Sequence, residues 1–188
     1  MDRDRIIAER QAKIDEIVAK YEAAATENPA MLEDTAAADE FYMMAALDLA
    51  ALAEEYDDVP VGCVIVRDGH IIAAECNGRE VFKDATYHAE TAAISKAGRL
   101  LGGWRLTRST LYVTLEPCPM CGGAIWCARV PRVVIGARDL RAGVYGTLFD
   151  MNEYPLNHKP ELTIGVLEEE SKFMLQSFFK KKRIGNKE

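Results

Sequence analysis

The chain has 188 residues, about half of them hydrophobic and about a quarter charged, with a net charge of -7, which suits one soluble domain with a sizeable core and excludes a fibrous or disordered chain. Its start, MDRDRIIAERQ, lacks the apolar stretch of a secretion signal, and no run nears the ~18 residues of a membrane span, so a cytoplasmic chain with no membrane partner is expected. The acidity is uneven: residues 1–40 hold 5 Lys+Arg against 11 Asp+Glu, and the remainder 18 against 19. A local basic face therefore stays available, with the tail FFKKKRIGNKE as its strongest segment.

Residues 2 to about 28 predict an amphipathic helix, because Ile6, Ile7, Ile14, Ile17, Val18 and Tyr21 recur at helical spacing. Pro29 breaks it. Residues 1–38 are expected to form a helical extension that docks by this apolar face, and residues 39–188 the main domain. A second helix is predicted from about Asp39 to Tyr56. Two strands follow, VPVGCVIV and HIIAAECN, and the Asp68-Gly69 pair between them marks a hairpin. HAETAAISKAGRLLGG reads as a helix ending on glycine. STLYVTLEP reads as a strand, CPMCGGAIWCARV as a helix and PRVVIGARD as a strand. ELTIGVL is a short strand. EEESKFMLQSFFKKKR is a closing helix whose acids lie at its start and bases at its end, as the helix dipole favours. This alternation implies one α/β domain with helices packed on a mostly buried sheet.

The five cysteines are Cys63, Cys76, Cys118, Cys121 and Cys127. An odd number without a secretion signal does not suggest a disulfide framework. Cys63 and Cys127 have apolar neighbours and are expected in the core, and Cys76 is expected to pack near the site. His70, after the hairpin turn, is expected in solvent. Cys118 and Cys121 differ. A C-x-x-C pair forms a redox disulfide, holds a metal or packs by chance, and the preceding helix start decides between these. There TYHAE places His88 and Glu90, with room between Glu90 and Cys118 for one helix and one strand. Two helix N-termini meeting over a sheet would bring His88, Cys118 and Cys121 together as three protein ligands of a catalytic zinc, one per chain, with a fourth position open. Glu90, two residues beyond His88, is placed to move protons without ligating. The pattern H-x-E…P-C-x-x-C is the signature of zinc-dependent base deaminases.

Beyond that motif, the chain resembles the bacterial tRNA-specific adenosine deaminases of the cytidine-deaminase-like superfamily. The resemblance runs from about Asp39 to Arg183, through FYMMAALDLA, VPVGCVIV, HAE, STLYVTLEPCPMCGGAI, RAGVYGTLFD and LNHKPEL. HAE and PCPMC are shared with guanine and cytosine deaminases. The run GARD-x-x-x-G, the LNH segment and the basic tail are more particular to the tRNA branch. The resemblance implies a cytidine-deaminase-like three-layer α/β fold, a five-stranded mixed sheet flanked by helices, with an extra N-terminal helix. It also implies a homodimer and hydrolysis of adenosine to inosine at the tRNA wobble position. Asn77 would contact the nucleoside. Arg79, Arg105, Asp139, Arg141, Asn157 and Arg183 would meet the anticodon loop. Three features lie outside the pattern: Tyr87, where the family usually carries a small residue, the acidic extension, and a net charge of -7, low for an RNA binder. Two alternatives stay open, a deaminase of a free base or nucleoside (guanine, cytosine or adenine) and a zinc-stabilised binding module without catalysis.

Overall fold

The computed structural model describes residues 2–185, which begin with helix α1 (Arg3–Glu27). A short 3-10 turn over Pro29–Glu33 leads into α2 (Thr35–Glu55). That helix starts four residues ahead of the expected Asp39, because Asp34 caps it: its carboxylate accepts the N–H groups of Ala36 and Ala37. Strands β1 (Gly62–Arg67) and β2 (His70–Cys76) form the predicted hairpin. Asp68 and Gly69 both take positive φ, 52° and 82°, as a two-residue turn that follows strand twist requires. The four-residue helix α3 (Arg79–Phe82) has no sequence-based counterpart. Then follow α4 (Ala89–Leu101), β3 (Ser109–Leu115), α5 (Pro119–Ala128), β4 (Arg132–Ala137), β5 (Glu161–Ile164) and α6 (Glu168–Gly185).

The five strands lie in the order β2-β1-β3-β4-β5. β1 runs antiparallel to both β2 and β3, while β3, β4 and β5 are parallel, so the sheet is mixed as expected. Alternating side chains separate two cores. Val64 and Val66 of β1 pack with Phe41, Met43 and Leu49 of α2 and with Ile14 and Tyr21 of α1. Cys63 and Ile65 face Ala89, Ala93 and Ala97 of α4 and Ile125 of α5. With α6 beside α2, the result is three layers, helix–sheet–helix.

α1 docks by its apolar face, yet polar contacts hold it too. β2 is an edge strand, whose free N–H and C=O groups need covering. Glu22 of α1 accepts the N–H of Ile71, and Arg10 of α1 donates to the carbonyl of Cys76. Across the sheet, Arg132 grips the carboxylate of Asp39 at 2.7 and 2.6 Å and tethers α2 to β4. No helix among the described residues is long and apolar enough to cross a membrane.

Candidate metal centre

α4 and α5 both start at one end of the sheet. His88 and Cys118 occupy their N-cap positions in extended backbone, and Cys121 sits in the first full turn of α5. The three donor atoms converge: His88 Nδ1 lies 3.7 Å from Cys118 Sγ and 3.5 Å from Cys121 Sγ, and the two sulfurs are 3.5 Å apart. A tetrahedral zinc with Zn–S of about 2.3 Å and Zn–N of about 2.0 Å has ligand–ligand edges of about 3.5–3.8 Å. The donor set therefore fits zinc in both chemistry and spacing. No other group of three such side chains is clustered this way among the described residues.

The electrostatics follow from two helix starts meeting in a partly buried place. Hydrogen bonding with Cys121, then with His88, holds the Cys118 thiol down to about 4. The Cys118–Cys121 contact and burial push Cys121 up. The contact with Cys118 raises His88. Glu90 is 4% exposed, and burial lifts its carboxyl above the usual range. It stands in the first turn of α4, outside the three-donor cluster.

Asn77 is buried on the loop after β2. Its Oδ1 accepts the N–H of Ala89 at 3.0 Å, so the amide carbonyl is fixed and its two N–H donors are what it offers a ligand. Asn77, His88, Glu90 and Cys118 line a cleft of about 120 Å³, together with Arg79 and Asp139 at its edge. Val59, Leu115 and Asp139 also line a larger groove of about 930 Å³ that carries Arg138, Arg141, Lys172, Lys180 and Arg183 among its walls. The larger cavity holds none of the donor atoms; it is an approach surface beside the chemistry. Asp139 joins the two spaces, and Arg141 and Arg183 belong to the groove. Arg105 and Asn157 line neither. Arg105 stacks on Trp104, 3.9 Å from its ring centre, and Asn157 accepts from Trp126 Nε1 and Arg129 Nη1 at 3.1 and 2.8 Å.

Sequence reasoning missed Glu116, a buried carboxylate in the same cleft. It accepts the N–H groups of Asp139 and Tyr145 at 3.1 and 2.8 Å and the hydroxyl of Thr147, and so anchors the loop over 138–147. The signal was present in GARD-x-x-x-G. A Cβ on Gly143 would fall 2.4 Å from the Glu116 carboxylate, so only glycine allows this approach. Cys63 and Cys76 are buried as expected, whereas Cys127 is exposed. It lies two residues past the core-facing Ile125, about 200° around the helix, and so points away from the core. His70 is exposed, with Nδ1 2.9 Å from Glu22.

The model of the cytidine and deoxycytidylate deaminase zinc-binding region matches residues 36–137. A tRNA-specific adenosine deaminase of Bacillus subtilis is 49% identical over 146 residues, 77% of this chain and 91% of the relative. One from Haemophilus influenzae is 45% identical over 147 residues, 77% of this chain and 85% of the relative. Among solved structures, a tRNA:A34 deaminase studied for A-to-I editing at the wobble position superposes with a TM-score of 0.66 and 41% identity, covering 69% of this chain and 95% of its own. A guanine deaminase from Nitrosomonas europaea superposes with a TM-score of 0.63 at 25% identity, over 74% of this chain and 83% of its own.

Proposed function

The chain belongs to the tRNA-specific adenosine deaminases, within the wider family of zinc-binding cytidine and deoxycytidylate deaminases, and on that premise we propose how its own residues convert adenosine to inosine at the wobble position of tRNA. The observation that carries the reading is the meeting of His88, Cys118 and Cys121 in a small cleft that opens beside a basic groove.

His88, Cys118 and Cys121 hold zinc in this proposal. A zinc held by these three side chains would supply the acidification of a water molecule at neutral pH. Glu90 does the proton work. Its buried carboxyl, raised above the usual range, is suited to take a proton and return it. Glu90 accepts the proton of the attacking water and passes one to the adenine ring nitrogen next to C6, while the water oxygen adds to C6. It then takes the proton of the new C6 hydroxyl and delivers it to the amino group. The C6–N bond breaks, ammonia leaves, and inosine remains. Asn77, its carbonyl already held by Ala89, turns its N–H donors to the nucleoside and fixes the base over the metal.

The cleft is too small for a stacked duplex, so the target base must be splayed out of its strand, as a loop nucleotide is with little cost. The anticodon loop then lies along the groove. Arg79 and Asp139 stand nearest the base, Arg141 and Arg183 along the backbone. Arg105 and Asn157 meet the RNA only where it extends beyond the groove. The same proposal treats residues 1–38 as an extension on the deaminase domain of residues 39–188. It also makes the working unit a homodimer and puts the protein in the cytoplasm, with its tRNA substrate. The test is inosine formation in an anticodon stem-loop beside a panel of free bases. Conversion of the stem-loop adenosine is expected. Deamination of free guanine or cytosine with every stem-loop left intact would overturn the tRNA assignment in favour of a free-base enzyme.

A further inference from the structure

The helix α1 lies outside the residues that match the deaminase zinc-binding region, yet one of its side chains reaches the segments that lead into Asn77 and His88. Arg10 is 1% exposed. Its Nη2 donates to Glu75 Oε2 at 2.7 Å and to the Cys76 carbonyl at 2.6 Å, with Cys76 Sγ at 3.1 Å. The next residue along the chain is Asn77. The guanidinium carbon also sits 5.5 and 5.6 Å from the ring centres of Phe82 and Tyr87, which stack on each other at 3.9 Å. Tyr87 directly precedes His88, and its hydroxyl donates to the other Glu75 oxygen at 3.2 Å. One buried side chain thus touches both segments that bring polar groups to the cleft.

Those two segments are tied to each other as well. The N–H of Gly78 donates to the Tyr87 carbonyl at 3.2 Å, and Asn77 accepts from Ala89 at 3.0 Å. α1 holds the assembly from further points. Arg3 donates to the carbonyl of Phe82 at 2.5 Å, and Gln11 accepts from Lys96 of α4, whose ammonium lies 2.5 Å from Glu75.

We propose that Arg10 is a positioning residue for the deaminase centre: by bonding Glu75 and Cys76 on one side and covering the Phe82–Tyr87 ring pair on the other, it fixes where Asn77 and His88 stand. The proposal rests on the assignment of those two residues to base contact and metal binding. Adhesion of the helix alone does not call for this arrangement. A buried ion pair is often no more stabilising than apolar side chains of similar volume, and Ile14, Tyr21 and Ala25 already supply an apolar docking face. A guanidinium whose Nη2 bonds a carboxylate and a backbone carbonyl while its carbon lies against two rings adds direction, which apolar contact lacks. Tyr87 completes the clamp by supplying the ring and the hydroxyl that a small residue would not. The tyrosine before the ligand histidine and the N-terminal helix are therefore two halves of one device.

The test replaces both charges while keeping volume, in Arg10→Met with Glu75→Gln, beside the milder Arg10→Lys. Three quantities are measured: melting temperature, zinc affinity by competition with a chelator, and kcat and KM on an anticodon stem-loop. The folded double variant is expected to bind zinc about tenfold more weakly and to lose about tenfold in kcat with KM little changed, as when support behind a metal ligand is removed. Arg10→Lys, which keeps the charge but not the flat guanidinium against the Phe82–Tyr87 rings, is expected to fall between it and the original protein in both. Helix packing alone would lower the melting temperature and leave zinc affinity and kcat where they were. That outcome, in the double variant or in Arg10→Lys should the double variant not fold, overturns the proposal. An unmodified protein that neither holds zinc nor forms inosine overturns the underlying assignment instead.

Discussion

Asn77 offers its side-chain carbonyl to the backbone N–H of Ala89 at 3.0 Å, and so ties the loop after β2 to the residue that follows His88. The bond separates two duties in one amide. The carbonyl orders the start of α4, and the N–H donors remain for a ligand, the nucleoside in the proposed reaction. Asn77→Asp keeps the acceptor and removes the donors, so it should retain its zinc and lose about 10²-fold in kcat, the usual cost of one donor at a reacting group. Asn77→Ala removes both and should also bind zinc less tightly. Metal analysis and single-turnover inosine formation on the two variants distinguish the duties. Equal activity in Asn77→Asp and the original protein would refute the base contact.

The metal assignment is checked by stoichiometry. Purified protein should contain about one zinc per chain, and the Cys118→Ala, Cys121→Ala variant none, because a single imidazole remains. Stripping the metal with a chelator should abolish turnover, and added zinc should restore it.

Glu90→Gln keeps the shape of the side chain and removes its proton traffic. It should hold zinc and melt near the temperature of the original protein, while turnover falls about 10²–10⁴-fold. Loss of zinc in this variant would make Glu90 a ligand and exclude the proposed role.

The described part of the basic tail divides in two, residues 186–188 lying outside the described residues. Lys181 pairs with Glu54 at 2.6 Å and Lys182 with Asp57 at 2.5 Å, whereas Lys180 and Arg183 line the groove. Each phosphate contact on a single strand adds about 0.7 to the slope of log affinity against log salt. Lys180→Ala with Arg183→Ala should weaken stem-loop binding and flatten that slope by about 1.4. Lys181→Ala with Lys182→Ala should leave the slope nearly unchanged. Binding measured at several salt concentrations decides, and equal effects of the two pairs would refute the division.

Stability should fall at high pH. Tyr42 is buried with its hydroxyl donating to the Gly69 carbonyl at 2.7 Å, and burial, then the nearby Glu22, raises its phenol to about 12. In the unfolded chain a tyrosine ionises near ~10. Between these values the unfolded state releases the proton and the folded state keeps it, so the stabilising share is full below about pH 10 and is lost as pH rises toward 12. Tyr42→Phe should lose about 1 kcal/mol at neutral pH with the hydrogen bond and show a shallower alkaline decline. Denaturant midpoints across the alkaline range provide the measurement.

The sequence by itself determined the zinc-binding character of the centre and most of the element order. His88, Cys118 and Cys121 are placed by helix starts, and Asp68-Gly69 by a turn that only certain residues adopt; such signals act within a few residues and survive without knowledge of the fold. The earlier start of α2 at Thr35 was legible too, since Asp34 is an ordinary N-cap. What the tertiary structure alone decided is how charged and polar groups are shared out. Nothing near Arg10 in the sequence marks it for burial; its partner Glu75 lies 65 residues away. The same holds for Glu116, which binds backbone of a loop more than twenty residues later, and for the tail, where Glu54 and Asp57 claim two lysines and leave Lys180 and Arg183 in the groove. A charge is tolerated inside a protein only when a partner is brought to it. Which partner arrives depends on how the layers pack, and that is settled across the whole chain at once.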